Sequence, residues 1–117
     1  MIRALLRAWR DFRRDQAAQQ IPVALRISHR SELPDHLDQR RLYLIGDPPK
    51  WAVLACPCGT GHQIDLNLSS PGRPRWKVTL DYRNRPSVSP SIHVMSERRC
   101  HFWLDHGFIR WCAITNS

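Results

Sequence analysis

From Pro22 onward, apolar residues in this chain fall at every second position in several separate stretches. Val23, Leu25 and Ile27 alternate with smaller or polar residues; Ile64, Leu66 and Leu68 alternate with Asp65 and Asn67; Trp76, Val78, Leu80 and Tyr82 alternate with Lys77, Thr79 and Asp81. A period of two is the mark of a strand with one face buried and one solvated, so each stretch predicts a short strand. Leu42 to Ile45 and Trp51 to Ala55 are apolar runs bounded by Gly46, Asp47, Pro48 and Pro49, which also read as strands. Near the C-terminus, His101 to Asp105 and Phe108 to Ile114 flank His106-Gly107, which predicts a tight hairpin turn. Two turn-rich segments complete the pattern. Ser69 to Pro74 separates two strands, and Ser87 to Ile92 carries the chain back toward its middle.

Before Pro22 the period is different. Ile2, Leu5, Leu6, Trp9 and Phe12 recur at helical spacing while Arg3, Arg7, Arg10 and Arg14 take another face, predicting an amphipathic basic helix over Met1 to Gln20. Such a helix packs its apolar stripe on the domain, or lies on a membrane surface or nucleic acid. The expected fold is therefore mainly β within the α+β class: a small zinc-stabilised antiparallel β domain over residues 22–117, preceded by a helix over residues 1–20.

Length and charge narrow the picture only a little. A chain of 117 residues makes one domain with a modest core, for which a metal clip matters. No apolar run approaches the roughly 20 residues that span a bilayer, and the Arg-rich start lacks an export signal, so a cytoplasmic location is expected. The net charge of +8 predicts an acidic partner, although 16 of the 18 basic residues are arginine, a bias that a GC-rich coding genome also produces.

Candidate chemistry is concentrated in Ala55-Cys56-Pro57-Cys58-Gly59-Thr60-Gly61-His62, with two thiols and an imidazole on a backbone bent by one proline and two glycines. Zinc favours thiolate and imidazole donors in a tetrahedron, and a Pro/Gly turn aims neighbouring sulfurs at one point. The other dense donor cluster is Arg98-Arg99-Cys100-His101-Phe102-Trp103. The preferred ligand set is Cys56, Cys58, Cys100 and His101, with His62 competing for the fourth place. Neighbours on a regular strand point to opposite faces, so Cys100 and His101 share an ion only at a bend; without one, His62 replaces one of them. Cys112 reads as a packing residue, and the cysteine spacing favours metal over disulfides.

With these residues laid out, the chain resembles a prokaryotic metal-binding family marked by three blocks. The first is Cys56-Pro57-Cys58-Gly59-Thr60-Gly61-His62 followed by Ile64 to Leu68. The second is Pro74-Arg75-Trp76 leading to Pro90-Ser91-Ile92. The third is His101-Phe102-Trp103-Leu104 through Gly107, Ile109 and Trp111. The resemblance runs from about Val23 to Cys112. It implies a metal-binding protein, and some family members are encoded beside bacterial ubiquitin-like (Bub) conjugation genes. The chain departs from the family where Thr60 replaces a frequent third cysteine and where Cys100 abuts His101 instead of preceding it by two or three residues.

The leading functional expectation is a non-enzymatic interaction module in such a conjugation pathway, with a ubiquitin-like, E1-like or E2-like partner and no catalytic residues. One alternative is a zinc-dependent hydrolase, a peptidase acting on a ubiquitin-like conjugate, with Asp65, Glu97 or His93 as base. The other is a nucleic-acid binder that stacks bases on Trp76, Trp103 and Trp111 beside Arg75, Arg99 and Arg110.

Overall fold

The computed structural model describes residues 20–59, 61–69, 76–95 and 99–112. Two four-stranded sheets are present. The first takes β1 (Val23–Ile27), β2 (Arg41–Ile45), β3 (Trp51–Ala55) and β4 (Gln63–Asn67) in chain order. The second takes β5 (Lys77–Leu80), β6 (Pro86–Met95), β7 (Arg99–Asp105) and β8 (Phe108–Trp111), also in chain order. The helix expected at the N-terminus lies outside the described residues, apart from Gln20, whose backbone bridges to Phe108. No helix among the described residues is long and apolar enough to cross a membrane.

The expectation of a wholly antiparallel domain needs one correction. β1 and β2 pair in parallel, from Val23 against Arg41 to Ile27 against Ile45. A parallel pair requires a crossover that returns the chain to the same end of the sheet, and residues 28–40 supply it with a short 3-10 turn at Arg30–Glu32. All other strand pairs are antiparallel.

The two sheets face each other across one core. Leu42, Leu44, Ala52, Leu54, Ile64 and Leu66 of the first meet Val88, Ile92, Phe102, Leu104 and Ile109 of the second. β2 and β3 are buried on both faces, because Tyr43, Ile45 and Val53 point away from that core into a second cluster roofed by Leu33 and Leu37 of the crossover. This double burial explains their unbroken apolar runs. In β1 the alternation points the other way from the simple expectation: Ala24 is buried, whereas Val23 and Leu25 are exposed at 42% and 38%. Val23 and Leu25 share the face of Tyr43, turned from the main core.

Backbone contacts lock the sheets together at one end. Ala24 and Asn84 exchange bonds: the Ala24 N–H donates to Asn84 O at 3.1 Å, and Asn84 Nδ2 donates to Ala24 O at 2.6 Å. The predicted turn at His106-Gly107 is present, with both residues at positive φ. Glycine is required at 107 for a second reason. A Cβ there would stand 3.1 Å from Ile21 O, and Ile21 N–H donates to the Gly107 carbonyl at 2.7 Å.

Candidate active site and metal cluster

The turn after β3 is built to curl. Gly59 and Gly61 both adopt φ of +83°, a region that side chains with a Cβ rarely enter, and the Cys56 N–H closes the loop on His62 O at 2.9 Å. Both ends of the loop thereby face the same side. β7 supplies the next donor. Cys100 pairs with Val94 and points into the core at 3% exposure, beside the fully buried Cys56.

Ligand atoms of Cys56, Cys58, His62 and Cys100 consequently all lie within 4.8 Å of one another. Cys58 Sγ is 3.9 Å from either ring nitrogen of His62. A zinc tetrahedron with sulfur bonds of about 2.3 Å has edges near 3.8 Å, so small contractions bring this donor set onto one ion. Burial pushes the Cys56 thiol pKa well above its ordinary value; a hydrogen bond from the Cys58 backbone opposes this, and the Cys58 and Cys100 thiols add to it. A cation among the sulfurs reverses that preference by favouring thiolates.

His101 is the predicted ligand that the structure leaves outside the cluster. β7 is regular at this point, with Cys100 opposite Val94 and His101 opposite His93, so the two neighbours project to opposite faces. His62 stands in the cluster instead. Cys112 is half-buried beyond the end of β8, where its N–H donates to His101 O at 2.9 Å, and it lies outside the core.

On the outer face of the second sheet His101 has a different partner. Its Nε2 lies 2.7 Å from Ser91 Oγ, and its ring stacks on His93 with centroids 4.7 Å apart. Ser91 sits in an irregularity of β6. Val88 pairs with Leu104 and Ile92 with Phe102, so Ser89, Pro90 and Ser91 bulge out of register with β7. Bulges re-aim side chains and are frequent beside active sites. Trp76 holds this one by donating its indole N–H to the Ser91 carbonyl at 3.4 Å. Ser91 and His101 are both partly exposed, so a substrate can reach them. No carboxylate contacts His101 among the described residues.

Ser91 is the residue that sequence reasoning missed. A signal was present: Pro90-Ser91-Ile92 and His101-Phe102-Trp103 belong to two of the blocks that carry the family resemblance, and a β6–β7 hairpin folds one onto the other. The proposed bases fare unevenly. Asp65 is on the first sheet, paired with Arg30 at 3.2 Å; His93 stacks on His101; Glu97 lies outside the described residues. Trp76, one of the three proposed stacking platforms, packs against the core.

A separate grouping, of Ser87, His106 and Asp81, is structural. Asp81 Oδ2 lies 3.0 Å from His106 Nδ1, but Ser87 Oγ accepts from the His106 backbone N–H rather than meeting its ring. The Asp81 carboxyl is only 10% exposed. That desolvation raises its pKa, but bonds from the Arg85 backbone, His106, the Arg85 guanidinium and the Arg83 backbone outweigh it and hold the group well below the usual carboxylate range. Asp81 thus braces the turn that precedes β6.

No curated protein and no solved structure matches the chain. A family model does: that of the bacterial ubiquitination-like system serine protease, BubE, which matches residues 29–112. This overturns the expectation of a non-enzymatic accessory module, because the family is named for an enzyme, and it favours the peptidase alternative. With well over half of the chain covered, the chain belongs to the BubE family of bacterial ubiquitination-like system serine proteases.

Proposed function

We propose that the chain is a serine peptidase acting on a ubiquitin-like protein or its conjugates, with Ser91 as nucleophile and His101 as general base. One observation carries this reading: Ser91 Oγ and His101 Nε2 are 2.7 Å apart on an accessible face, the distance that proton transfer from a nucleophilic hydroxyl needs. With the imidazole neutral and its proton on Nδ1, the hydroxyl donates to Nε2. As Ser91 Oγ attacks the scissile carbonyl carbon, the proton passes to Nε2, and the tetrahedral adduct expels the leaving amine, which takes that proton. Water then attacks the acyl-serine, giving a proton to His101, and Ser91 is regenerated on release of the acid. The stack of His93 keeps the His101 ring in the orientation that serves Ser91.

The four inner donors suit zinc by their chemistry, three thiols and one imidazole. Cys56, Cys58, His62 and Cys100 would hold it. Such a full protein set makes a structural clip, tying the turn after β3 to β7. Zinc supplies fold stabilisation there, and the reacting groups are those of the opposite face. A ubiquitin-like protein and its conjugates are the expected partners, in the cytoplasm.

The test is processing of the pathway's ubiquitin-like protein fused at its C-terminus to a reporter. Wild type is expected to release the reporter, and Ser91→Ala and His101→Ala are expected to fail while remaining folded. Release by both variants at the wild-type rate would contradict the assignment.

A further inference from the structure

Beside Ser91 and His101 the outer face of the second sheet continues into an open depression of about 480 Å³. Its wall includes Ser89, two residues before Ser91 in the β6 bulge, and Trp103, two residues after His101 and so the next position on the same face of β7. A substrate carbonyl placed between Ser91 and His101 therefore lays the adjoining residues of its chain across this depression. The volume is of the size that holds side chains and small ligands.

The chemistry of the rim is specific. Lys77 stands on the edge strand β5 and Arg110 on the edge strand β8, and neither has an acidic partner among the described residues. Three inter-strand steps separate those strands, about 14 Å of backbone, the span of roughly four residues of extended chain. Among the described residues the one lining carboxylate, Asp105, is close to His106 Nε2 at 3.7 Å. Trp103, 40% exposed, provides an apolar wall between the two cations. A cation at each end with an aromatic surface between them complements an extended segment carrying carboxylates, and the net charge of +8 on the chain favours the approach of such a segment.

We propose that this depression is a substrate subsite selecting an acidic peptide segment next to the scissile bond, an inference that rests on Ser91 and His101 being the reacting pair. Lys77 and Arg110 determine its specificity. They act on which sequence is held, not on the proton transfer.

The experiment uses a proteome-derived peptide library. The full chain carrying Ser91→Ala, which binds without turnover, is compared with the same chain also carrying Lys77→Glu and Arg110→Glu. Peptides retained by the first are expected to be enriched about tenfold in Asp and Glu relative to those retained by the second, an advantage that shrinks as salt rises. Retention without acidic preference, or an acidic preference that survives charge reversal, would overturn the subsite. Labelling of wild-type Ser91 by a small fluorophosphonate reads the reacting pair separately. Labelling with no acidic selectivity sinks this inference alone, whereas a folded wild type that resists labelling sinks the catalytic assignment and the subsite with it.

Discussion

Cys100 and His101 are adjacent in the chain yet belong to two different environments. Cys100 faces the core at 3% exposure, among three other donors whose ligand atoms lie close enough together to hold a cation. His101 faces outward, partly exposed, with one hydroxyl on its Nε2 and a second imidazole against its ring. The inner face favours closure, because a buried thiol set gains from a metal that excludes water. The outer face favours access, as the proposed nucleophile Ser91 requires. A strand serves both needs at once since its side chains alternate by half a turn. On the proposed reading the cluster bears on the reacting pair through geometry: a metal holding Cys100 would fix the register of β7, and that register sets where His101 stands relative to the β6 bulge.

The strongest way to break the comparison is to remove the inner cluster. Cys56→Ser or Cys100→Ser is expected to abolish metal retention and to lose most of the domain's stability, since structural zinc sites contribute on the order of 10 kcal/mol of apparent binding energy. Elemental analysis and thermal unfolding of the purified variants check this. His101→Ala is expected to keep the metal. A cluster using His101 in place of His62 would reverse that outcome, with His62→Ala then leaving the metal in place.

Breaking the outer face alone has the next largest effect, and it appears in activity only. Ser91→Ala is expected to lower kcat/KM by a factor of about 10³ or more, with thermal midpoint and metal content unchanged. A change in stability of comparable weight would place Ser91 in the fold instead of the chemistry.

Phe102 joins the faces. It follows His101, is wholly buried between the sheets and lies tilted against the Trp111 ring, with ring centroids 5.4 Å apart. Phe102→Ala is expected to cost about 3–5 kcal/mol in denaturant unfolding. Activity measured well below the unfolding transition should fall as well, because β7 loses the packing that holds its register.

The smallest effect concerns the brace at Asp81. Its folded-state pKa is depressed, so its contribution to stability is present above the unfolded value near 4 and is lost as the pH falls through the lower folded value. Unfolding midpoints across the acid range are expected to drop less steeply for Asp81→Asn than for wild type. Identical acid profiles would show that the turn does not depend on this carboxylate.

Much of this arrangement was legible in the residues. The alternation at Ile64 to Leu68, the runs of β2 and β3 and the turn at His106-Gly107 all appear where the pattern puts them, because each is set by local periodicity or by backbone conformations that glycine permits. Cys56, Cys58 and Cys100 were legible as candidate donors from their residue types and spacing, and the fold gathers them with His62. The choice between His62 and His101 turned on whether β7 bends at Cys100, which tertiary pairing with β6 decides. The parallel β1–β2 pair was hidden because a strand's direction relative to its neighbour leaves no trace in its own alternation. The outward turn of Val23 and Leu25 was equally hidden, as a period of two identifies two faces without saying which one the core takes. Ser91 lay within one of the resemblance blocks but could not be singled out there, for a different reason. A single serine in a turn-rich segment has no chemistry of its own until a bulge and a facing strand bring an imidazole within 2.7 Å.

The most direct test of the central claim is to treat the metal-replete protein with a fluorophosphonate and locate the adduct by peptide mass spectrometry, in parallel with His101→Ala. A single adduct on Ser91 of the wild type and its near absence in the variant are expected, both proteins retaining their metal. An adduct on another serine, or equal labelling of Ser91 with and without His101, would contradict it.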